Sequence, residues 1–337
     1  MAPAPRLSPL ALSALLAATG TAQEPPYRLP GIGASRVVLE VRVVDARGRP
    51  LSGLGPADFR LRVDDRPVAL DTVVWVAEGT AGGPSLLPYP PALHSDGRLL
   101  VLLFPKDFEG TRLRGLMRSL SQARALLEPL GPRDRVAVLT YDSHLRLHLD
   151  FTNDLGAVRR TIDDSVLLRR PGPAPPGPHP SLAAHLDRAR ALGAASPEQA
   201  LLALGEALRP IPGAKTIVLF GWGLGRMTGG VVTLDADYDR ARVALDAARA
   251  AVYCLDVTED SWHSLEVGLQ QVAEDTGGEY FKVHENAGAA LDRVAAALSG
   301  HYLLAFEPPE GPSGEHRVRL ALVGRRGTVL TRHRYVD

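Results

Sequence analysis

Sulfur and lysine are scarce in this sequence of 337 residues. Cys254 is its only cysteine, which excludes a disulfide framework, an iron–sulfur cluster, a thiolate zinc site and a paired-cysteine redox motif. Only three lysines are present, Lys106, Lys215 and Lys282. Acidic and basic residues number 38 each, and no basic block is dense enough to bind a phosphate backbone. Nucleic acid is therefore not expected as a partner.

Long apolar runs are also missing, except near the N-terminus. There, Arg6 precedes an apolar stretch over residues 10–18, and Gly20-Thr21-Ala22 places small residues where a signal peptidase reads them. This pattern predicts a secretory signal over residues 1–22. No later window approaches the roughly 18 apolar residues of a membrane span, so we expect no transmembrane segment in the mature chain. The predicted location is secreted or periplasmic.

Two kinds of pattern divide the rest of the chain. Residues 36–80 and 300–337 contain short alternating runs separated by turn formers, which predict β-strands. Residues 96–299 instead alternate continuous apolar runs with helical spacing, which predicts an α/β domain with a doubly wound, mostly parallel sheet. Each terminal segment is too small to bury a core alone, so we expect the two to pack together as one β module. Residues 169–180 are proline-rich and predict an extended surface insert.

Five phrases carry a resemblance to a known family. They are VVDARGRPLSGLGPADFRLRVDDRPV, DRVAVLTYDSHLRLHLDFTND, KTIVLF, VAEDTGGEYFKV and HYLLAFEPPEGPSGEHRVRLAL, in that order. With them the chain resembles the von Willebrand factor A-type (VWA) domain, specifically the bacterial VWFA-related proteins of the acidobacterial type. The resemblance covers nearly the whole mature chain. It implies a six-stranded sheet of order 3-2-1-4-5-6, with a ligand crevice above the carboxyl ends of strands one and four.

The same resemblance implies a degenerate metal site. In the family, the crevice holds a divalent cation through an Asp-x-Ser-x-Ser run after strand one, a loop threonine and an aspartate after strand four. Here the first run reads Pro105-Lys106-Asp107-Phe108-Glu109, and Gly221-Trp222-Gly223 follows strand four. Ser196 is the best match to the threonine, but it also fits a helix N-cap. Because Mg²⁺ requires hard oxygen ligands, we expect neither a metal nor another cofactor.

These features favour a non-catalytic protein-binding or adhesion-type module whose partner is another envelope or extracellular protein. Two alternatives remain: a hydrolase that uses acidic residues such as Asp107, Glu109 and Asp142 in the crevice, or a structural domain with a decayed site. No catalytic residue is assigned, since His263 lacks a visible nucleophile or orienting partner. Trp222 fits a binding hot spot and a core plug equally well. The predicted binding face comprises Asp107, Phe108, Glu109, Tyr141, Ser196, Trp222 and Trp262.

The N-terminal pattern leads to the first testable expectation. Residues 1–22 should be absent from the exported protein, because a signal peptidase would cleave after Ala22. N-terminal sequencing of protein recovered from outside the cytoplasm measures this directly. Recovery of chains that still begin at Met1 would contradict the assignment.

Overall fold

The computed structural model describes residues 36–77, 97–107, 109–164, 180–259, 262–283 and 287–336. The predicted signal sequence, nearly all of the proline-rich insert and Phe108 lie outside these ranges. The strands are β1 (Val37–Val44), β2 (Phe59–Val63), β3 (Arg66–Val68), β4 (Thr72–Ala77), β5 (Leu99–Pro105), β6 (Arg135–Tyr141), β7 (Leu145–Thr152), β8 (Lys215–Gly221), β9 (Arg226–Thr228), β10 (Val231–Thr233), β11 (Ala250–Asp256), β12 (Tyr280–Lys282), β13 (Gly300–Phe306), β14 (Glu315–Leu322), β15 (Thr328–Leu330) and β16 (Arg334–Val336). The helices are α1 (Gly110–Gln122), α2 (Leu155–Asp164), α3 (Arg188–Gly193), α4 (Pro197–Leu208), α5 (Asp237–Ala247), α6 (Glu266–Thr276) and α7 (Gly288–Ala297).

A six-stranded mixed sheet forms the centre of an α/β domain. Its spatial order is β12-β11-β8-β5-β6-β7, and only the β6–β7 pair is antiparallel. Numbered along the chain within this sheet, the order is 3-2-1-4-5-6. The winding reverses between β5 and β8, which makes their carboxyl ends the crevice where such sheets bind ligands.

The continuous apolar strands are explained by helices on both faces of this sheet. Alternate residues of β5 point to opposite sides: Leu99, Val101 and Leu103 enter one core cluster, while Leu100, Leu102 and Phe104 enter the other. Helices α3 to α6 contribute to the first cluster, and α1, α2 and α7 contribute to the second. A strand covered on both faces has no polar side, so its sequence does not alternate.

The two chain ends form a pair of four-stranded antiparallel sheets. One has the order β15-β1-β13-β4 and the other β16-β14-β2-β3. Side chains such as Leu39, Leu61, Tyr302, Val318 and Tyr335 enclose a core between them. Each sheet contains strands from both termini, so neither terminal segment has a complete sheet of its own.

Two parts of the terminal segments, for which the sequence pattern predicts one strand each, are divided in the structure. The run 67–76 contains β3 and β4, and the run 328–336 contains β15 and β16; in both cases the two parts belong to different sheets. The short breaks let the chain cross from one sheet to the other. Alternation alone does not reveal such a crossing, because both parts keep the same period of two. Among the described residues, no helix combines the length and apolar character that a membrane span requires.

Strand β1 gives the second testable expectation. It lies between β13 and β15, so removal of residues 300–337 would take both of its hydrogen-bonded neighbours away. We expect the amides of residues 37–44 to lose their protection in hydrogen exchange in a chain that ends at residue 299. Protection of these amides at the level of the intact protein would contradict the shared module.

Candidate functional site

The crevice between β5 and β8 contains a small apolar cavity. Its volume of about 20 Å³ has room for about one water molecule. Most of its lining is apolar, and among the described residues no carboxylate reaches it. The side chains and backbone that enclose it come from Leu103, Pro105, Tyr141, Pro197, Ala200, Leu201, Leu219, Gly221, Trp222, Gly223 and Leu224. A hard divalent cation needs several oxygen ligands, so this lining does not fit one.

Lys106 follows β5 and turns towards β6 rather than into this cavity. Its side chain is only 6% exposed, and Nζ lies 3.2 Å from Oδ2 of Asp142. Arg146 donates to the other oxygen of the same carboxylate at 3.0 Å. Burial raises the pKa of Asp142, but the hydrogen bonds from Arg146 and Lys106 outweigh burial and lower it. Asp142 is therefore held as a carboxylate and is not suited to donate a proton near neutral pH.

Arg112 connects the acidic loop after β5 with Trp222. Asp107 accepts a bond of 2.5 Å from Nη1 of Arg112, and Glu109 accepts one of 3.2 Å from its backbone N–H. The Arg112 guanidinium carbon lies 4.1 Å from the centre of the Trp222 ring, a cation–π distance. Both predicted acidic residues are thus engaged with one cation, which is itself stacked on the tryptophan.

The predicted binding face divides into packed and exposed parts. Tyr141 is buried, and Trp222 is partly buried against the sheet core with its Nε1 enclosed. Ser196 accepts from the backbone N–H of Gln199 at 3.2 Å and so caps α4. Trp262, in contrast, is 69% exposed. Phe108 lies outside the described residues.

Gly223 allows the loop after β8 to pack closely against the segment that precedes α6. Its φ of +148° and the closeness of Leu265, whose Cβ would lie 2.6 Å from an added Cβ, both disfavour any other residue. Leu224 then donates its N–H to the carbonyl of Leu265 at 3.2 Å. The loop after β8 is therefore packed directly against the segment that precedes α6.

A second polar group, which we name the His263 cluster, lies at the carboxyl ends of β11 and β12. It comprises Asp256, His263, Glu266, Tyr280 and Lys282. Asp256 is fully buried, and its Oδ2 lies 2.8 Å from His263 Nε2 and accepts from the Tyr280 hydroxyl at 2.8 Å. Burial, and then the negative charge of Asp256 and the hydrogen bond to it, raise the pKa of Tyr280. The carboxylate thus orients the imidazole and keeps the phenol protonated.

Part of the His263 cluster has the composition of a metal site. One donor atom each from Asp256, His263 and Glu266 lie within 4.8 Å of one another. The ammonium group of Lys282 is already among them, 2.5 Å from Oε2 of Glu266 and 4.0 Å from Oδ2 of Asp256. A cation of the chain therefore balances the carboxylates at the position where a metal ion would be expected.

The sequence signal for this cluster was incomplete. Asp256 ends the apolar run 250–256, as a residue at the carboxyl edge of a sheet should, and Tyr280 and Lys282 alternate on β12. His263 appeared to lack an orienting partner because that partner, Asp256, lies seven residues earlier across a turn. Adjacency of β11 and β12 in space was the missing information, and periodicity does not supply it.

Exposed apolar side chains lie on the segments that follow β8 and β11. Met227 and Val231 belong to the β9–β10 hairpin, and Trp262 and Val267 lie before and within α6; each is at least half exposed. Strand β10 contacts α6, so the hairpin lies beside this helix. We call these four residues the apolar edge.

Comparison with known proteins gives distant structural likenesses only. No family model matches the chain, and no curated protein does. A von Willebrand factor type A protein from Catenulispora acidiphila has a TM-score of 0.44 and 12% identity, covering 86% of this chain and 75% of its own. BatB from Bacteroides thetaiotaomicron has a TM-score of 0.39 and 15% identity over 60% of this chain and 98% of its own. Proximal thread matrix protein 1 from the mussel byssus has a TM-score of 0.40 and 11% identity over 60% and 47%.

The crevice gives the third testable expectation. Mg²⁺, Mn²⁺ or Ca²⁺ at millimolar concentration should leave the melting temperature unchanged, because a specific ligand stabilises the state it binds and no carboxylate of the described residues lines the cavity. Calorimetry of the chelator-treated protein with each ion measures this. A saturable rise in melting temperature with any of them would contradict the expectation.

Proposed function

We propose that this chain is an exported, non-catalytic, VWA-like module that binds another envelope or extracellular protein without a bridging metal ion. In this proposal it belongs with the bacterial VWFA-related proteins of the acidobacterial type, on the strength of the five sequence phrases. The observation that carries the binding role is the apolar edge, which lies on the loops that follow strands β8 and β11 of the central sheet. Loops at the carboxyl ends of such a sheet are where its ligands bind.

The composition of the crevice supports a partner contact that needs no cation. A metal-bridged contact requires an ion with an open coordination position for the partner's carboxylate. Pro105 and Trp222 supply no side-chain oxygen there, and the cavity between them is apolar. The apolar edge beside the crevice can instead bind a partner by apolar contact, because burial of exposed apolar side chains is favourable.

Trp262 is the side chain of the apolar edge that we expect to contribute most. Tryptophan is over-represented among residues whose truncation costs an interface more than about 2 kcal/mol. At 69% exposure it has a large area left to bury. Trp222, which the sequence left undecided, is packed under Arg112 and is assigned to stability instead.

Charge pairing favours binding over the hydrolase alternative. General acid–base catalysis by two carboxylates requires environments that separate their pKa values, with one raised towards neutrality. Asp107 and Glu109 both contact Arg112, and the pKa of Asp142 is lowered by Arg146 and Lys106. Two of the three carboxylates that the sequence nominated are therefore paired with one arginine, and the third, Asp142, is held in its charged form.

The fourth testable expectation compares the two tryptophans. Trp262→Ala should weaken capture of the partner by about 2 kcal/mol, roughly thirtyfold, and leave the melting temperature unchanged. Trp222→Ala should lower the melting temperature by removing packing against the core. The measurements are affinity for the partner isolated from the native envelope fraction, with and without chelator, and thermal unfolding.

Val323→Ala is the matched control, because it removes an exposed apolar side chain from the β module. It should change neither quantity. Capture that depends on a divalent cation would contradict metal-independent binding. Capture that is unaffected by Trp262→Ala would move the binding surface away from the apolar edge.

A further inference from the structure

A charged cavity lies at the opposite end of the central sheet from the crevice. Its volume is about 40 Å³, and it is enclosed where β1 of the β module meets the start of β11 and the end of α5. Four arginines and three carboxylates line it. They are Arg42, Arg242, Arg249, Arg332, Glu40, Asp246 and Asp275.

Three of these arginines have carboxylate partners. Arg249 pairs with Glu40 across the boundary between the two modules, and Arg332 pairs with Asp246. Arg242 pairs with a carboxylate outside the cavity, Glu315. Arg332 also donates to the backbone carbonyl of Val38 at 2.8 Å.

Arg42 is different. It is only 6% exposed, and its Nε has no hydrogen-bond partner among the residues that the structure describes. A buried N–H group without a hydrogen-bond partner is costly, because it has left water without compensation. Arg42 lines the cavity, so an anion placed there would lie beside it.

The carboxylates that line the cavity differ in how readily they take up a proton. Burial would raise the pKa of Glu40, but Arg249, His301, Arg42 and Arg332 together lower it to about 2, so Glu40 is charged at neutral pH. Burial raises the pKa of Asp246 despite Arg332, which weakens its contribution of negative charge. Glu315 outside the cavity pairs with Arg242, so the feature that an anion would satisfy is the Nε of Arg42, which has no partner among the described residues, and not a net charge of the lining.

We propose that this cavity binds a free tetrahedral oxyanion, phosphate or sulfate, through Arg42 and Arg249. A volume of about 40 Å³ has room for roughly three water molecules, which matches an anion of about five heavy atoms. The planar fork of a guanidinium donates two parallel hydrogen bonds to such an anion. The anion would accept a hydrogen bond from the Nε of Arg42, which has no partner among the described residues, and would join the β module to the α/β domain.

The backbone at Arg249 agrees with this role. Arg249 follows the end of α5 and has a φ of +55°, a left-handed position that usually holds glycine. At this φ the backbone of an arginine has a higher conformational energy than that of a glycine. Its side chain is placed at the cavity, in contact with Glu40.

The test is thermal unfolding and calorimetric titration of the whole protein at pH 7.5 with sodium phosphate, sodium sulfate or sodium chloride at equal ionic strength. Phosphate or sulfate should raise the melting temperature in a saturable manner, by about 3 °C at ten times the dissociation constant. Chloride should not. An equal effect of chloride would identify general screening and overturn the proposal, as would the absence of any saturable effect.

Variants of Arg42 test whether the anion binds at this residue. Arg42→Met should abolish the stabilisation by phosphate, because it removes the buried guanidinium that would donate to the anion. Arg62→Met, at an exposed position of β2, is the matched control and should keep the full effect. Should Arg42→Met fail to fold, Arg42→Lys keeps the charge without the fork and should weaken binding by about tenfold or more.

A phosphate monoester in place of inorganic phosphate distinguishes the source of the anion. We expect it to bind more weakly, because the phosphate group alone matches the volume of about 40 Å³. Equal affinity for the monoester would overturn the assignment of a free oxyanion. Stabilisation by phosphate that persists in Arg42→Met would overturn the assignment of the site.

Discussion

A charged side chain that leaves water must be balanced by another charge of the protein or by a bound ion, and this constraint acts at both ends of the central sheet. At the carboxyl end, Lys106 balances Asp142 and Lys282 balances Glu266 beside the buried Asp256. At the other end, Arg249 balances Glu40 across the boundary of two modules. Two of the three lysines in the sequence therefore serve as internal cations at the edge where doubly wound sheets generally bind ligands.

The contrast between the two ends underlies both proposals. At the carboxyl end, the crevice is apolar and the nearby carboxylates are engaged by Arg112, Arg146 and the lysines, so a partner would meet apolar side chains and not a metal ion. At the opposite end, the pairing is incomplete, because the Nε of Arg42 has no hydrogen-bond partner within the part of the chain that the structure describes. The apolar edge would be stabilised by an apolar partner, and the charged cavity at the opposite end would be stabilised by an anion.

Sequence patterns predicted local structure but did not show which strands lie next to each other in the fold. Continuous apolar runs such as 99–104 predicted an α/β sheet because strands covered on both faces carry a distinctive signal. The sheet order came from the family resemblance, since periodicity does not state which strands are neighbours. The β9–β10 hairpin was missed because its turn is formed by Gly229 and Gly230 between runs of only three residues. The His263 cluster was missed because Asp256, His263 and Tyr280 are brought together only when β11 pairs with β12.

In the His263 cluster, the ammonium group of Lys282 lies among three donors that could otherwise hold a metal ion, and one measurement tests this pairing most directly. It is a calorimetric titration with Zn²⁺ of the untagged parent, of Lys282→Ala and of the double variant Lys282→Ala/His263→Ala. The account predicts no saturable binding to the parent, binding of one ion by Lys282→Ala through the freed Asp256, His263 and Glu266, and loss of that binding in the double variant. Stoichiometric Zn²⁺ binding by the parent protein would contradict it.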